Sequence, residues 1–188
     1  MLKKQYEDIL KEQSEIALFD FEKAYLEQIG VSFEDKMITE KALTFDVLEV
    51  CSKETEDTLR AVEADFLGHP ISYLKENQAE FIYAESSAFD AIRVDAFALE
   101  FDDAFNLNTV LFGLKLQKKY SEAIRTYLKQ NVKSALGSSS AAFSGQEGLW
   151  EINIALDCLE GYSDDLSFEA IYGLLYKFIF DLIVAAES

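Results

Sequence analysis

A chain of 188 residues that is 49% hydrophobic can build one well-formed core, and its single Pro and eight Gly against 15 Phe and nine Tyr favour long regular elements over a loop-rich, disulfide-stapled scaffold and speak against disorder over most of its length. Thirty-five Asp and Glu against 17 Lys and Arg give a formal net charge of −18, a field that repels nucleic-acid phosphates and anionic lipid alike. The imbalance is uneven, because residues 31–103 carry 18 acidic and six basic groups whereas 104–136 carry one acidic and six basic.

In chain order, the N-terminal Met-Leu-Lys-Lys is charged from its third residue and lacks the apolar run of a signal peptide. Residues 2–28 read as a helix from the spacing of Tyr6, Ile9, Leu10, Ile16, Ala17, Phe19, Ala24 and Tyr25, closed by Gly30. Residues 42–51 read as a strand, rich in β-branched and aromatic types. Ser52 followed by Glu54, Glu56 and Asp57 has the pattern of a helix N-terminus, so a helix is expected to about Leu67, with a break at Gly68-His69-Pro70 and a short turn through Asn77. Phe81-Ile82-Tyr83 and the alternating stretch Ile92–Phe101 form an expected antiparallel pair. Asn106 or Asn108 is the expected cap of a third helix to about Asn131, which carries Lys115, Lys118, Glu122, Arg125 and Lys129 near one face. A basic element of this kind can pair with acidic neighbours inside the fold or across a homodimer. Residues 134–143 and 149–159 make a second hairpin around Gly145-Gln146-Glu147-Gly148, and a last helix follows Ser163-Asp164-Asp165.

This order predicts one α+β domain over residues 1–188, an antiparallel sheet built from β-hairpins alternating with four main helices. Two offsets hint at an internal αββ repeat with units at about 73–124 and 127–184. At offset 60, Ile92 meets Ile152, Leu99-Glu100 meets Leu159-Glu160, and Gly113-Leu114 meets Gly173-Leu174; at offset 54, Tyr73-Leu74-Lys75 and Asn77 meet Tyr127-Leu128-Lys129 and Asn131. Gly113 and Gly173 then both fall one turn into a helix, where glycine implies close approach of another backbone. In element order alone, the alternation of helices and hairpins resembles type III secretion chaperones.

The apolar stretch Leu166–Ala186 contains Glu169, Lys177 and Asp181, each of which costs about 2.5–3.5 kcal/mol at a bilayer centre, so no membrane association is expected. Cys51 and Cys158 sit apart in apolar alternating runs, as packed free thiols do in the cytoplasm.

Chemistry leaves few marks. His69 stands alone in a turn, and nucleophile-elbow, phosphate-loop, dinucleotide and zinc signatures are absent. The small-residue run Gly137–Gly145 lacks the Lys-Ser or Lys-Thr of a phosphate loop. Asp102-Asp103 and Asp164-Asp165 each fall between an expected strand and helix, where they can hold a divalent cation or stabilise the helix dipole. Trp150 is a candidate interface anchor beside the longer turn, or a cap on the core.

No cofactor and no catalysis are implied. The leading expectation is a noncatalytic protein-interaction module, chaperone-, adaptor- or immunity-like, with an acidic surface for a basic partner and Asp102, Asp103, Trp150, Asp164 and Asp165 as candidate contacts. Such a module should show an apolar patch with an acidic rim. An acidic nucleic-acid mimic that inhibits a DNA- or RNA-binding protein should instead show carboxylates along one extended face at phosphate-like separation. A metal-dependent enzyme should bring all four Asp side chains into one cleft.

Overall fold

The computed structural model of the chain describes residues 1–133 and 138–188. Seven antiparallel strands form one sheet: β3 (Val47–Ser52), β4 (Thr58–Ala61), β5 (Glu80–Glu85), β6 (Val94–Asp102), β7 (Leu107–Leu114), β8 (Ser139–Ser144) and β9 (Leu149–Ala155), in the order β4-β3-β5-β6-β7-β9-β8. Two earlier strands, β1 (Glu15–Leu18) and β2 (Met37–Glu40), pair in parallel as a separate ribbon. Period-two alternation sorts the side chains of the large sheet. In β6, Phe97, Leu99 and Phe101 turn to one side and are buried, while Ala96, Ala98 and Glu100 turn to the other and remain half-buried.

The helices are α1 (Leu2–Glu12), α2 (Asp20–Gln28), the single turn α3 (Tyr73–Glu76), α4 (Ser121–Asn131) and α5 (Phe168–Glu187). The Ser167 side chain caps α5 by accepting from Ala170 N at 3.2 Å. Ten of its side chains are buried, which makes α5 the central core helix. Tyr172 packs its ring 4.8 Å from Phe45 and 6.2 Å from Phe97 of β6, so α5 lies against the Phe97 side of the sheet. Lys177 and Asp181 pair on its exposed stripe at 2.5 Å, as their spacing of four implies. No helix among the described residues is long and apolar enough to cross a membrane.

Several expectations change. The stretch 2–28 is not one helix, because Ile16 and Leu18 alternate with exposed neighbours and form β1 between α1 and α2. Glu22, wholly buried, joins these parts: it accepts from Phe19 N at 2.8 Å, Tyr6 Oη at 2.5 Å, Tyr176 Oη at 2.7 Å and Lys41 Nζ at 2.6 Å. After Ser52 the chain makes a hairpin rather than a helix, with Glu56 left-handed at φ 61°, and returns as β4. The third helix is confined to α4, and the residues before it form β7, whose Thr109-Val110-Leu111-Phe112 run favours a pleated strand.

The internal repeat is not confirmed. Gly113 lies in β7, where an added Cβ would meet the Leu149 side chain at 3.2 Å, whereas Gly173 lies in α5 with nothing within 4 Å. At neither position is another backbone among the nearest atoms that an added Cβ would meet. The offset-54 match has a local cause, since Asn77 Nδ2 donates to Tyr73 O at 2.8 Å and Asn131 Nδ2 to Tyr127 O at 2.9 Å, the same closing bond on two helix ends. The β5–β6 and β8–β9 pairs and the last helix stand as expected; residues 134–137, read as part of a strand and a small-residue run, lie outside the described residues.

Candidate functional site

The side of the sheet turned away from α5 carries a surface of mixed character. Strand register sets Glu49, Tyr83, Ala98, Leu111 and Asn153 in one row across five strands, with Cys51, Phe81, Glu100 and Thr109 in the next. Leu111 is 39% exposed at the centre, and Phe81, Tyr83 and Ala98 beside it are half-buried. These residues line a depression of about 490 Å³ whose rim holds Glu49, Glu56, Glu100, Lys53 and Thr58. Glu85 and Glu151 extend the acidic border on neighbouring strands.

The border is held in place by hydrogen bonds. Thr58 Oγ1 donates to Glu49 Oε2 at 2.8 Å, and Tyr83 Oη donates to Glu85 Oε1 at 2.5 Å. Burial, then the hydrogen bond and charge of Glu85, push the Tyr83 phenol up to about 12, so it stays a neutral donor. Lys53 Nζ donates to Phe101 O at 2.5 Å and lies 3.6 Å from Glu100, so this cation is engaged within the sheet. Burial pushes the Cys51 thiol up as well, which makes it a packing group at neutral pH.

Among the described residues, eleven ion pairs engage ten of the 35 carboxylate residues and leave 25 with no basic partner within 4.0 Å, and Glu22 is the one that is fully buried. The negative charge therefore faces solvent.

The five residues singled out from sequence do not come together on this face. Asp102 closes the β6–β7 turn by accepting from Ala104 N at 3.0 Å and Phe105 N at 3.2 Å, with Asp103 exposed beside it, so this pair sits in a hairpin and not before a helix. Asp164 accepts from Tyr162 Oη at 2.7 Å, and Tyr162 in turn accepts from Asn108 Nδ2 at 2.7 Å. Asp165 N donates to Ser163 Oγ at 3.4 Å, and the α5 cap is Ser167 rather than either aspartate. Trp150 is 1% exposed with its ring 5.3 Å from Phe143, so it caps the core and offers no aromatic surface. Among the described residues, no grouping of three or more His, Cys, Asp or Glu is placed to hold a metal ion. His69 is exposed, 5.1 Å from the Phe66 ring.

Sequence reasoning missed Phe81, Tyr83 and Leu111. The signal was present as the alternation of Glu with apolar residues in Leu48-Glu49-Val50 and Leu99-Glu100-Phe101, which marks strands with one solvated side. Comparison with known protein families, with curated proteins and with solved structures finds no match for this chain.

Proposed function

We propose that this protein is a noncatalytic interaction module, chaperone-, adaptor- or immunity-like, whose uncovered sheet face takes a basic protein partner. The observation that carries the reading is an apolar centre of Phe81, Tyr83, Ala98 and Leu111 inside a border of Glu49, Glu85, Glu100 and Glu151 that is only partly neutralised. A partner that inserts an apolar side chain at Leu111 and sets Lys or Arg against the border gains hydrophobic burial at the centre and electrostatic steering at the rim. The other 22 carboxylates without a basic partner among the described residues add a long-range field that speeds the approach of such a partner. A nucleic-acid mimic fits this face less well, because its middle is occupied by apolar side chains and not by spaced carboxylates.

The test is affinity capture from the native cell with the wild-type protein beside Leu111→Arg, followed by mass spectrometry. One stoichiometric basic protein, retained by the wild type and lost by the variant, is the expected result. Equal retention by both, or nothing retained by the wild type, contradicts the reading.

A further inference from the structure

We infer that the outer edge of β8, with the cations of α4 beside it, is a second docking site, one that takes an extended acidic segment of another protein as an eighth strand. Three observations meet there. The first concerns the edge itself. β8 ends the sheet, and among the described residues β9 alone pairs with it. Ala155 N donates to Ser138 O at 2.8 Å, which fixes the phase of the antiparallel ladder. Ser140 and Ala142 therefore turn their peptide groups to β9, while Ser139, Ala141 and Phe143 turn theirs outward.

The second is what the edge lacks. Ser139–Ser144 reads Ser-Ser-Ala-Ala-Phe-Ser, with no charge, no proline and no register shift against β9. The opposite edge, β4, is four residues long, carries Arg60 and has a bulge in its pairing with β3. Those are the devices that keep a strand from accepting another, and β8 has none of them.

The third is charge. Among the described residues, Lys118, Arg125 and Lys129 have no carboxylate within 4.0 Å, although 25 carboxylate residues there have no basic partner. Arg125, Leu128, Lys129 and Val132 line a groove of about 370 Å³ with Ser139 and Ala141, and Lys118 Nζ lies 5.8 Å from the Phe143 ring centroid. An added strand thus finds backbone donors and acceptors on one side and unneutralised cations on the other, which selects an acidic segment. A second copy of this chain paired β8 to β8 would bring the two sets of cations together, so the occupant is a different protein.

The experiment uses the full chain and a fluorescent synthetic peptide of alternating Thr and Glu, read by anisotropy. Beside it run the same peptide with a central Pro and an oligothymidylate strand. Ala141→Pro removes one outward N–H while leaving every β9 bond in place, and Arg125→Glu with Lys129→Glu reverses the flanking charge without touching the strand. The alternating peptide is expected to bind, and the central Pro, Ala141→Pro and the double charge reversal are each expected to weaken it about tenfold or more. No binding of the alternating peptide overturns the inference. Equal binding of the Pro-interrupted peptide overturns it too, as does an oligothymidylate that binds more tightly than either peptide, because backbone pairing would then play no part.

Discussion

The two sides of one seven-stranded sheet meet opposite fates. On β6, Phe97 and Leu99 are wholly buried under α5, while Ala98 and Glu100, one residue away on the same strand, remain half-buried. Each strand thus carries two sequences, one answering to packing and one free of it. Stability should depend on the first side and recognition on the second, and mutations can separate them.

The largest losses are expected on the covered side. Phe97→Ala empties a site between Phe89, Phe112 and Tyr172 and should cost about 3–5 kcal/mol in denaturant unfolding. Glu22→Ala should cost about as much, since it leaves the half-buried Lys41 without its counter-charge and takes the acceptor from the Tyr6 and Tyr176 hydroxyls, Tyr176 keeping only the bond it accepts from Lys41 at 2.9 Å. A loss near zero for either would show that the covered side is not the load the fold rests on.

Alkaline pH tests the same side. Burial first, with neighbouring carboxylates adding to it, raises Tyr6, Tyr127, Tyr162 and Tyr176 above 10.0, and burial raises Tyr172. A phenol raised in the folded state contributes stability that is complete below 10.0 and lost as pH climbs through the folded value. Lys41, lowered chiefly by burial, works in the opposite sense below 10.5 but is one group against these five and the raised phenols of Tyr25, Tyr73 and Tyr83. The denaturation midpoint should fall steeply once pH passes 10.0, and the tyrosinate absorbance of the folded protein should stay below that of the chain's nine tyrosines until it unfolds. Full tyrosinate absorbance from the still-folded protein would contradict this.

Smaller effects sharpen the contrast. Tyr172 Oη is buried without a hydrogen-bond partner among the described residues, so Tyr172→Phe should leave stability unchanged or raise it by about 1 kcal/mol in thermal or urea unfolding. Leu111→Ala on the open side should change stability by no more than about 0.5 kcal/mol while weakening partner capture. If Leu111→Ala were as destabilising as Phe97→Ala, the open side would belong to the core.

Much of this was legible in the residues. The α5 stretch is apolar on nearly all sides, which only a central helix tolerates, and the β8–β9 turn is marked by Gly145 and Gly148. β7 was not legible, because Leu107, Val110, Leu111 and Leu114 fall at spacings of three and four that imitate a helix face. The split at β1 was hidden for the same reason, since Ile16 and Leu18 continue the helical spacing of α1 within its tolerance. Trp150 and the paired aspartates drew attention by residue type, yet a type does not say which side of a strand will be covered. That is decided by where α5 lands, and it makes Phe97 core and Leu111 surface.

The most direct test of the central claim places a photo-crosslinking amino acid at position 111, and separately at exposed Leu59 on β4, and irradiates the native cell. The account expects one discrete adduct with a basic protein from position 111 and none of that mass from position 59. An unmodified protein at 111, or the same adduct from both positions, would contradict it.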